Sequence, residues 1–311
     1  LENTELTNFD LSRIVFFIIH NYMPELPEVE VVKKSLINKV QNLIIKKVKI
    51  NDERLRYRID KKILRKIVGL KIKKIERRSK FLLFFFNKNL VMLVHFGMTG
   101  KFFFINKKNI KYKTSFYYNI NHNKEKKHDR VVFFLNKKKK LIYNDVRKFG
   151  FIKFLNYKNY NNNLHLKNLG PEPLEQLFNF IYFKNYIKGR NRVVKNVLMD
   201  QKFVSGIGNI YANEILFLSK VKPSRKVKKL KDFELRKIIH HTKKTLENAI
   251  KLGGSSIKDF SSTNGKKGSF QQHFYVYGKK GQLCLNTTCR SRITKSTISN
   301  RATFLCSNCQ K

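Results

Sequence analysis

The sequence predicts an α+β multidomain chain in three parts: strand-rich, then helical, then a small β-module built around cysteines. Three observations carry this. Short apolar runs alternate with polar turns from about residue 24 to 155, and helical spacing takes over from 175 to 260. All four cysteines fall in the last 28 residues. A chain of 311 residues has room for two domains and a further small module.

The first element is an oddity. "HNYMPELPEVEVV" (20–32) sets Met23 beside Pro24 and follows them with three acidic residues, in a chain of net charge +46 that begins with Leu1. Residues 1–23 therefore read as a non-native or upstream-translated extension, with the functional protein starting at Met23 or, once that is removed, at Pro24. A helix is expected from roughly 27 to 40, where Pro27 suits the first turn and Glu28 and Glu30 suit the positive end of the dipole. "KKVKI", "KFLLFFF", "LVMLVHFGMTGKFFFI", "RVVFFL", "KLIYND" and "FGFIKFL" complete a mostly strand domain, 24–155. A linker, 156–174, ends in the rigid "LGPEPL". The helical domain, 175–265, contains "NRVVKNVLMDQ", "GNIYANEILFLS" and "DFELRKIIHHTKKTLENAIKLGG", and 266–311 forms the cysteine module.

Composition limits the partners. Lys+Arg 67 against Asp+Glu 21 calls for a polyanion, of which nucleic acid is the commonest. Abundant Lys, Asn, Ile and Phe with no Trp is also what AT-rich codon usage produces, so part of the lysine is solvated surface. "IVFFII" (14–19) and "FLLFFF" (81–86) fall short of the about 18–20 apolar residues of a membrane span, and no secretory signal precedes them. A cytoplasmic protein without membrane contact is expected.

Cys284-x4-Cys289, sixteen residues, then Cys306-x2-Cys309 sets two close thiolate pairs across a hairpin's length of chain. That is the pattern of a tetrahedral structural zinc site, which stabilises a module too small for its own core. Arg301 stands at that hairpin. "GIGN" (206–209) leads a glycine-punctuated turn into a helix opened by Asn209, where backbone N–H groups and an amide could seat a phosphate. An ordinary helix–helix corner would use the same glycines.

"MPELPEVE" (23–30), "RRSKFLLF" (77–84), "HFGMTG" (95–100), "DVRKFG" (145–150), "LGPEPL" (169–174), "LMDQKFVSGIGNIYANEILF" (198–217), "GGSSIKDF" (253–260), "VYGKKG" (276–281) and "RATFLCSNCQK" (301–311) together resemble formamidopyrimidine-DNA glycosylase, in order and spacing, from Met23 to Lys311. The resemblance implies an N-terminal β-sandwich, a helical domain with a helix–two-turn–helix, a C-terminal zinc-finger β-hairpin, and damaged double-stranded DNA held between them by a monomer with one structural zinc. It implies that Pro24 attacks the sugar through its amine and that Glu25 supplies and removes protons. A free α-amine titrates at about 7.7–8.0 against about 10.4 for lysine, so it is the better nucleophile near neutrality. Its secondary amine must give a cationic iminium, an electron sink that acidifies the neighbouring sugar protons.

By the same resemblance Lys80 approaches the lesion's phosphates and Arg301 grips phosphate during the second elimination. Asn209 clamps a phosphate, and Lys195, His128 and Arg190 contact DNA. Met98, Arg147 and Phe149 match an intercalating triad that fills the space left by an extruded base. Core packing is the alternative for Met98 and Phe149, and helix stabilisation the alternative for Glu28 and Glu30. The implied activity is removal of oxidised purines followed by β,δ-elimination, and the full "SSTNGKKGSFQQ" loop (261–272) favours purines. An endonuclease VIII-type enzyme for oxidised pyrimidines, or a non-catalytic zinc-ribbon DNA-binding protein, are the alternatives. Three features depart from the family pattern: the four-residue spacing of the first cysteine pair, Lys148 in place of arginine, and the residues before Met23, which if retained make the Pro24 amine an amide.

Overall fold

The computed structural model describes residues 23–106, 111–113, 126–255 and 270–311. Residues 1–22, and most of the "SSTNGKKGSFQQ" loop, lie outside the described residues.

Helix α1 spans Leu26–Val40 and buries Leu26, Val29, Val32, Leu36 and Val40, a stripe at three- and four-residue spacing. Its first turn holds Pro27, whose missing N–H costs nothing there. Two antiparallel sheets follow. β2 (Ile72–Arg78), β3 (Phe81–Phe86), β4 (Leu90–His95) and β9 (Phe151–Asn156) lie in that order in one. The other runs β1 (Ile45–Ile50), β7 (Asp129–Leu135), β8 (Lys139–Asn144), β5 (Lys101–Ile105) and β6 (Lys111–Lys113). They pack face to face as a sandwich. Phe84, Met92 and Val94 from the first meet Phe102, Phe133 and Tyr143 from the second, with α1 closing the core.

The unbroken run "FLLFFF" has a simple cause. Leu82, Phe84 and Phe86 face the sandwich core, while Leu83 and Phe85 form a second apolar layer with Val91, Leu93 and Phe151 on the outer face. Tyr160, Leu166 and Leu169 of the segment expected as a linker cover that layer. A strand buried on both faces has no reason to alternate.

One element was not foreseen in the strand-rich part. Helix α2 (Lys61–Lys66) begins at Asp60, whose carboxylate accepts from the N–H of Lys62 (2.8 Å) and of Ile63 (3.1 Å). Further on come α3 (Phe180–Ile187), α4 (Val194–Leu198), α5 (Asn209–Leu218) and α6 (Asp232–Lys251). α4, the turns through 199–208 and α5 form a helix–two-turn–helix. No helix among the described residues is long and apolar enough to cross a membrane.

The last strands, β10 (Thr294–Ile298) and β11 (Arg301–Leu305), make a hairpin between the two cysteine pairs. Ser299 and Asn300 turn it with φ 49° and 58°. This module has no core of its own. Cys284, Cys289, Cys306, Ile293 and Phe304 belong to the same buried cluster as Phe203, Tyr211 and Leu216 of the helical part. α5 supplies the polar anchors. Buried Glu214 accepts from the N–H groups of Tyr275 (2.7 Å), Val276 (3.1 Å) and Tyr277 (2.7 Å), and Asn213 accepts from Phe304 N–H (2.7 Å).

Glu214→Ala leaves two buried donors, Val276 and Tyr277 N–H, and the half-buried one of Tyr275 unsatisfied, each buried one worth about 1–3 kcal/mol, so a loss of about 2 kcal/mol or more is expected. Denaturant unfolding measures it, and a loss within the scatter of surface substitutions, about 0.5 kcal/mol, refutes this account of the docking.

Candidate active site

The site grows from two helix ends that face each other. Gly208 is the N-cap position of α5, where a side chain would ordinarily satisfy the first N–H groups, and it has none. Glu25, at the N-cap of α1, does it instead. Its carboxylate accepts from Gly208 N–H and from Ile210 N–H (2.9 Å) and lies at the positive end of the α5 dipole. A Cβ on residue 208 would overlap the Glu25 carboxyl group, so only glycine fits. Gly206, at φ +89°, accepts from Leu26 N–H (3.0 Å) and locks the same two ends a second time.

Glu25 is 3 % exposed, and burial drives its carboxyl up to about 7. The positive charge of Lys80 and the two N–H donors pull the other way without winning. Glu25 therefore carries a proton for part of the time at neutral pH, which suits a group that must both give and take one.

Glu28 holds the acid's backbone. Its Oε2 accepts from Glu25 N–H (2.9 Å), while Oε1 accepts from Tyr211 Oη (2.7 Å) and from both N–H and Oγ of Ser255 (2.8 Å each). Glu30 stands apart, bonded to Arg77 (2.8 Å) and Lys33 (2.6 Å). Burial would raise its pKa, but these two cations outweigh that and lower it. The helix-stabilising reading fits Glu30 and understates Glu28.

Two cations act on the buried acid, and a third, Arg301, acts on both of them. Lys80 follows the tight turn between β2 and β3, where Ser79 sits at φ 55°. Burial lowers its pKa; Glu25 opposes this and Arg301 reinforces it. Lys195, expected against DNA, is fully buried on α4, its ammonium donating to Ala302 O (3.0 Å) and Thr303 Oγ1 (2.7 Å) of β11. Burial, then Arg301, brings it down to about 7. Asn209 donates to the same Ala302 O (3.0 Å) and to Tyr277 Oη (3.3 Å). Arg301 itself is exposed at the start of β11. Pro24 is buried beside Glu25, with Met23 41 % exposed before it.

Met23 opens onto a cavity of about 620 Å³ that Met98, Arg147 and Phe149 also line, together with Arg56, His95 and Lys148. The triad is thus gathered at one opening. Phe149 is 46 % exposed, which excludes the core-packing reading for it, and the Arg147 guanidinium lies 4.6 Å from its ring centre. The two loops are fused at glycines. A Cβ on Gly97 (φ +59°) would overlap the Phe149 backbone, and one on Gly150 would overlap Tyr143 Oη. Thr99 joins them, accepting from Arg147 N–H (2.9 Å) and donating to Asp145. Lys148, where the family pattern has arginine, pairs with Asp52 (2.8 Å).

Two expected contacts lie elsewhere. His128, half-buried, ends a short turn and accepts through its carbonyl from Asp145 N–H (3.1 Å), which puts it behind the Arg147 loop. Arg190 stacks on Tyr186, 4.1 Å from the ring centre, and donates to Tyr186 O. Sequence reasoning passed over His95 and Gln201. His95 is 8 % exposed, accepts from Gly97 N–H (3.1 Å) and is held neutral, pushed down to about 3 by burial and then by Lys80. The signal available was a histidine directly before the glycine-flanked Met98.

The four cysteine sulfurs lie within 4.8 Å of one another, Cys284 to Cys309 at 3.8 Å and Cys289 to Cys306 at 3.6 Å. A tetrahedron of about 2.3 Å metal–sulfur bonds has edges of about 3.8 Å, so the donor set fits one tetrahedral ion. Asn286, inside the long first knuckle, donates to Cys309 Sγ (3.4 Å), and Asn308 to Cys289 Sγ (3.3 Å). Such N–H donors temper thiolate charge.

Gly208→Ala should expel the Glu25 carboxyl from its seat. Carboxyl-carbon NMR titration then reads a fall from about 7 toward the ordinary 4.5. A pKa unchanged by the substitution refutes the assignment of that burial.

Comparison with known proteins follows the same outline. A family model of the formamidopyrimidine-DNA glycosylase N-terminal domain matches residues 23–152, and one of the formamidopyrimidine-DNA glycosylase H2TH domain matches 169–261. The formamidopyrimidine-DNA glycosylase of Rickettsia bellii is 40% identical over 289 residues, covering 93% of this chain and 100% of that protein. That of Rickettsia massiliae is 38% identical over 293 residues, covering 93% and 97%. Among solved structures, a Lactococcus lactis FPG mutant with a Fapy-dG containing DNA superposes with TM-score 0.80 at 29% identity, covering 93% of this chain and 100% of that one. The Lactococcus lactis Fpg with an abasic site containing DNA gives 0.80 at 29%, covering 92% and 99%.

Proposed function

The chain belongs to the formamidopyrimidine-DNA glycosylase family, a DNA glycosylase and abasic-site lyase of base excision repair, and we propose that its chemistry runs through the amine of Pro24. The observation that supports this is the burial of Pro24 and Glu25 together at the α5 N-terminus, with Lys80 close enough to act on the acid's charge. The substrate we infer is duplex DNA bearing an oxidised purine, 8-oxoguanine or a formamidopyrimidine, met on the nucleoid in the cytoplasm.

In this reading Met98 enters the gap left by the extruded nucleotide, Arg147 pairs with the orphaned base and Phe149 unstacks its neighbour. The neutral Pro24 nitrogen attacks C1′ of the sugar, the bond from C1′ to the base breaks with its electron pair leaving on the base, and the proton that the nitrogen then sheds neutralises the departing base and restores the nitrogen lone pair. Glu25 delivers a proton to O4′ as the ring opens, and the nitrogen lone pair completes the iminium. Loss of a C2′ proton expels the 3′-phosphate; loss of a C4′ proton then expels the 5′-phosphate. Water hydrolyses the iminium and frees the amine. Lys80 and Arg301 offset phosphate charge as each leaving group departs, and Asn209 holds the phosphate between them.

A chain starting at Met23 and losing it should be trapped on lesion DNA by borohydride, which reduces the iminium to a stable amine. One retaining residues before Pro24 should bind DNA and give no adduct. Trapping by a chain whose Pro24 is verified as acylated would sink the assignment. Because the protonated form of Glu25 is the active one, base release should fall as pH rises through about 7, and Glu25→Gln should abolish that limb with the activity.

The cysteine cluster we assign to one structural zinc per chain, held by Cys284, Cys289, Cys306 and Cys309. When bound, the ion supplies a covalent-strength cross-link and no reaction step. Metal analysis of DNA-binding protein should give a stoichiometry near one, and chelation should weaken DNA binding by freeing the hairpin that carries Arg301. Tight binding by metal-free protein contradicts it.

A further inference from the structure

The turn between α4 and α5 is closed from within by a single side chain. The Gln201 carboxamide donates through Nε2 to Met199 O (3.0 Å) and Ile207 O (2.8 Å), and accepts through Oε1 from Gly206 N–H (2.7 Å). The same Oε1 accepts from Ser79 Oγ (3.2 Å), across from the strand domain. Its backbone carbonyl accepts from Gly170 N–H (2.8 Å) of the "LGPEPL" segment. Both lone-pair directions of the oxygen and both protons of the nitrogen are thereby used.

What these bonds touch is the reacting centre's support. Gly206 and Gly208 are the residues that grip Leu26 and the Glu25 carboxylate. Ser79 precedes Lys80 in a left-handed turn whose backbone is held by two further bonds, Ser79 N–H to Glu172 Oε1 (2.6 Å) and the Arg77 guanidinium to Ser79 O (3.0 Å), so that Gln201 is the partner of its hydroxyl. A non-glycine residue holds such a conformation only when its surroundings over-determine it. Gln201 therefore reaches one catalytic group through the glycine turn and the other through a serine hydroxyl.

We propose that Gln201 is a positioning residue for base release, setting Glu25 and Lys80 at a common point from opposite sides of the domain boundary. The inference rests on the reading of Pro24 and Glu25 given above. If Gln201 loosens, Gly208 and Ile210 no longer present their N–H groups squarely to the carboxylate. Donors to the charged form favour it, so weakening them keeps Glu25 protonated to higher pH. A side chain that served folding alone would lower stability and leave the pH dependence where it was.

The test uses borohydride-trappable protein, with Gln201→Met to keep volume and remove every side-chain hydrogen bond, and Gln201→Glu to keep the acceptor oxygens. Single-turnover release of 8-oxoguanine from duplex DNA is followed from pH 5.5 to 9, alongside cleavage of a pre-formed abasic site. Gln201→Met should lose about 10- to 100-fold in the rate of base release with KM nearly unchanged, as small misplacements do, and its alkaline limb should move to higher pH. Gln201→Glu should fall between it and the parent. Abasic-site cleavage should suffer less, because that sugar already opens to an aldehyde in water. A parent protein without the alkaline limb overturns the reading of Glu25 and the proposal with it. A parent that has the limb, with Gln201→Met keeping it at the same pH or releasing base at the parent rate, overturns the proposal alone.

Discussion

A carboxylate seated on the N-terminus of a helix from another domain is the constraint around which this protein is arranged. Glu25 belongs to the strand-rich half and the N–H groups of Gly208 and Ile210 to the helical half, 183 and 185 residues away. Without the acid, α5 would start with orphaned donors in a buried place, each worth a kcal/mol or more. Without the helix end, a carboxyl 3 % exposed would have only the charges of Lys80 and Lys195 to offset its desolvation. Each half thus corrects a fault in the other, and Pro24, the nucleophile proposed above, lies buried at the joint between them. The glycines of "GIGN" follow from this, since residue 208 has no space for a Cβ and residue 206 must turn through φ +89° to reach Leu26.

The electrostatics are organised by burial more than by pairing. Glu25 moves up while Lys80 and Lys195 move down, each because its charged form is poorly solvated. Their mutual attraction offsets only part of this, and Arg301 adds a like charge that presses both lysines further. Glu25 and Lys195, which ordinarily titrate six units apart, are both drawn to about 7, and Lys80 is lowered in the same direction. Elsewhere the protein uses pairing in the ordinary way: Glu30 and Glu172 receive Arg77 and Arg78 and fasten the strand domain to "LGPEPL".

How much of this was legible in the sequence depended on how far each cause reached along the chain. The helix expected at 27–40 formed at 26–40 because its apolar spacing and its proline are local signals. The cysteine cluster was legible for the same reason, two short spacings and a hairpin between them. Helix α2 went unread although Asp60 and the Leu64–Ile67 spacing announced it, because six residues are too few to show a period against a strand-rich background. His95 and Gln201 went unread for a different reason. Their meaning lies in contacts with Gly97, Gly206 and Ser79, and an acceptor's partners cannot be inferred from the residue types beside it. The burial of Lys195 is the clearest such case, since the resemblance set it against DNA, yet its ammonium is directed inward to hold β11.

That last contact shows why the cysteine cluster matters to a site it does not enter. The cysteine module shares a core with the helical part, so the hairpin's place is set by α5 from one side, through Asn213 and Glu214, and by the cysteine cluster from the other. Ala302, one residue beyond Arg301, accepts from both Lys195 and Asn209 through one carbonyl. A shift of the hairpin would break both bonds together, leave a buried ammonium short of a partner, and remove Arg301 from the rim in the same movement. Burying Lys195 costs the most when the hairpin is absent and least when it is docked. The cation expected against DNA therefore adds two bonds to those by which Asn213 and Glu214 hold the hairpin, and with it Arg301, in its docked position.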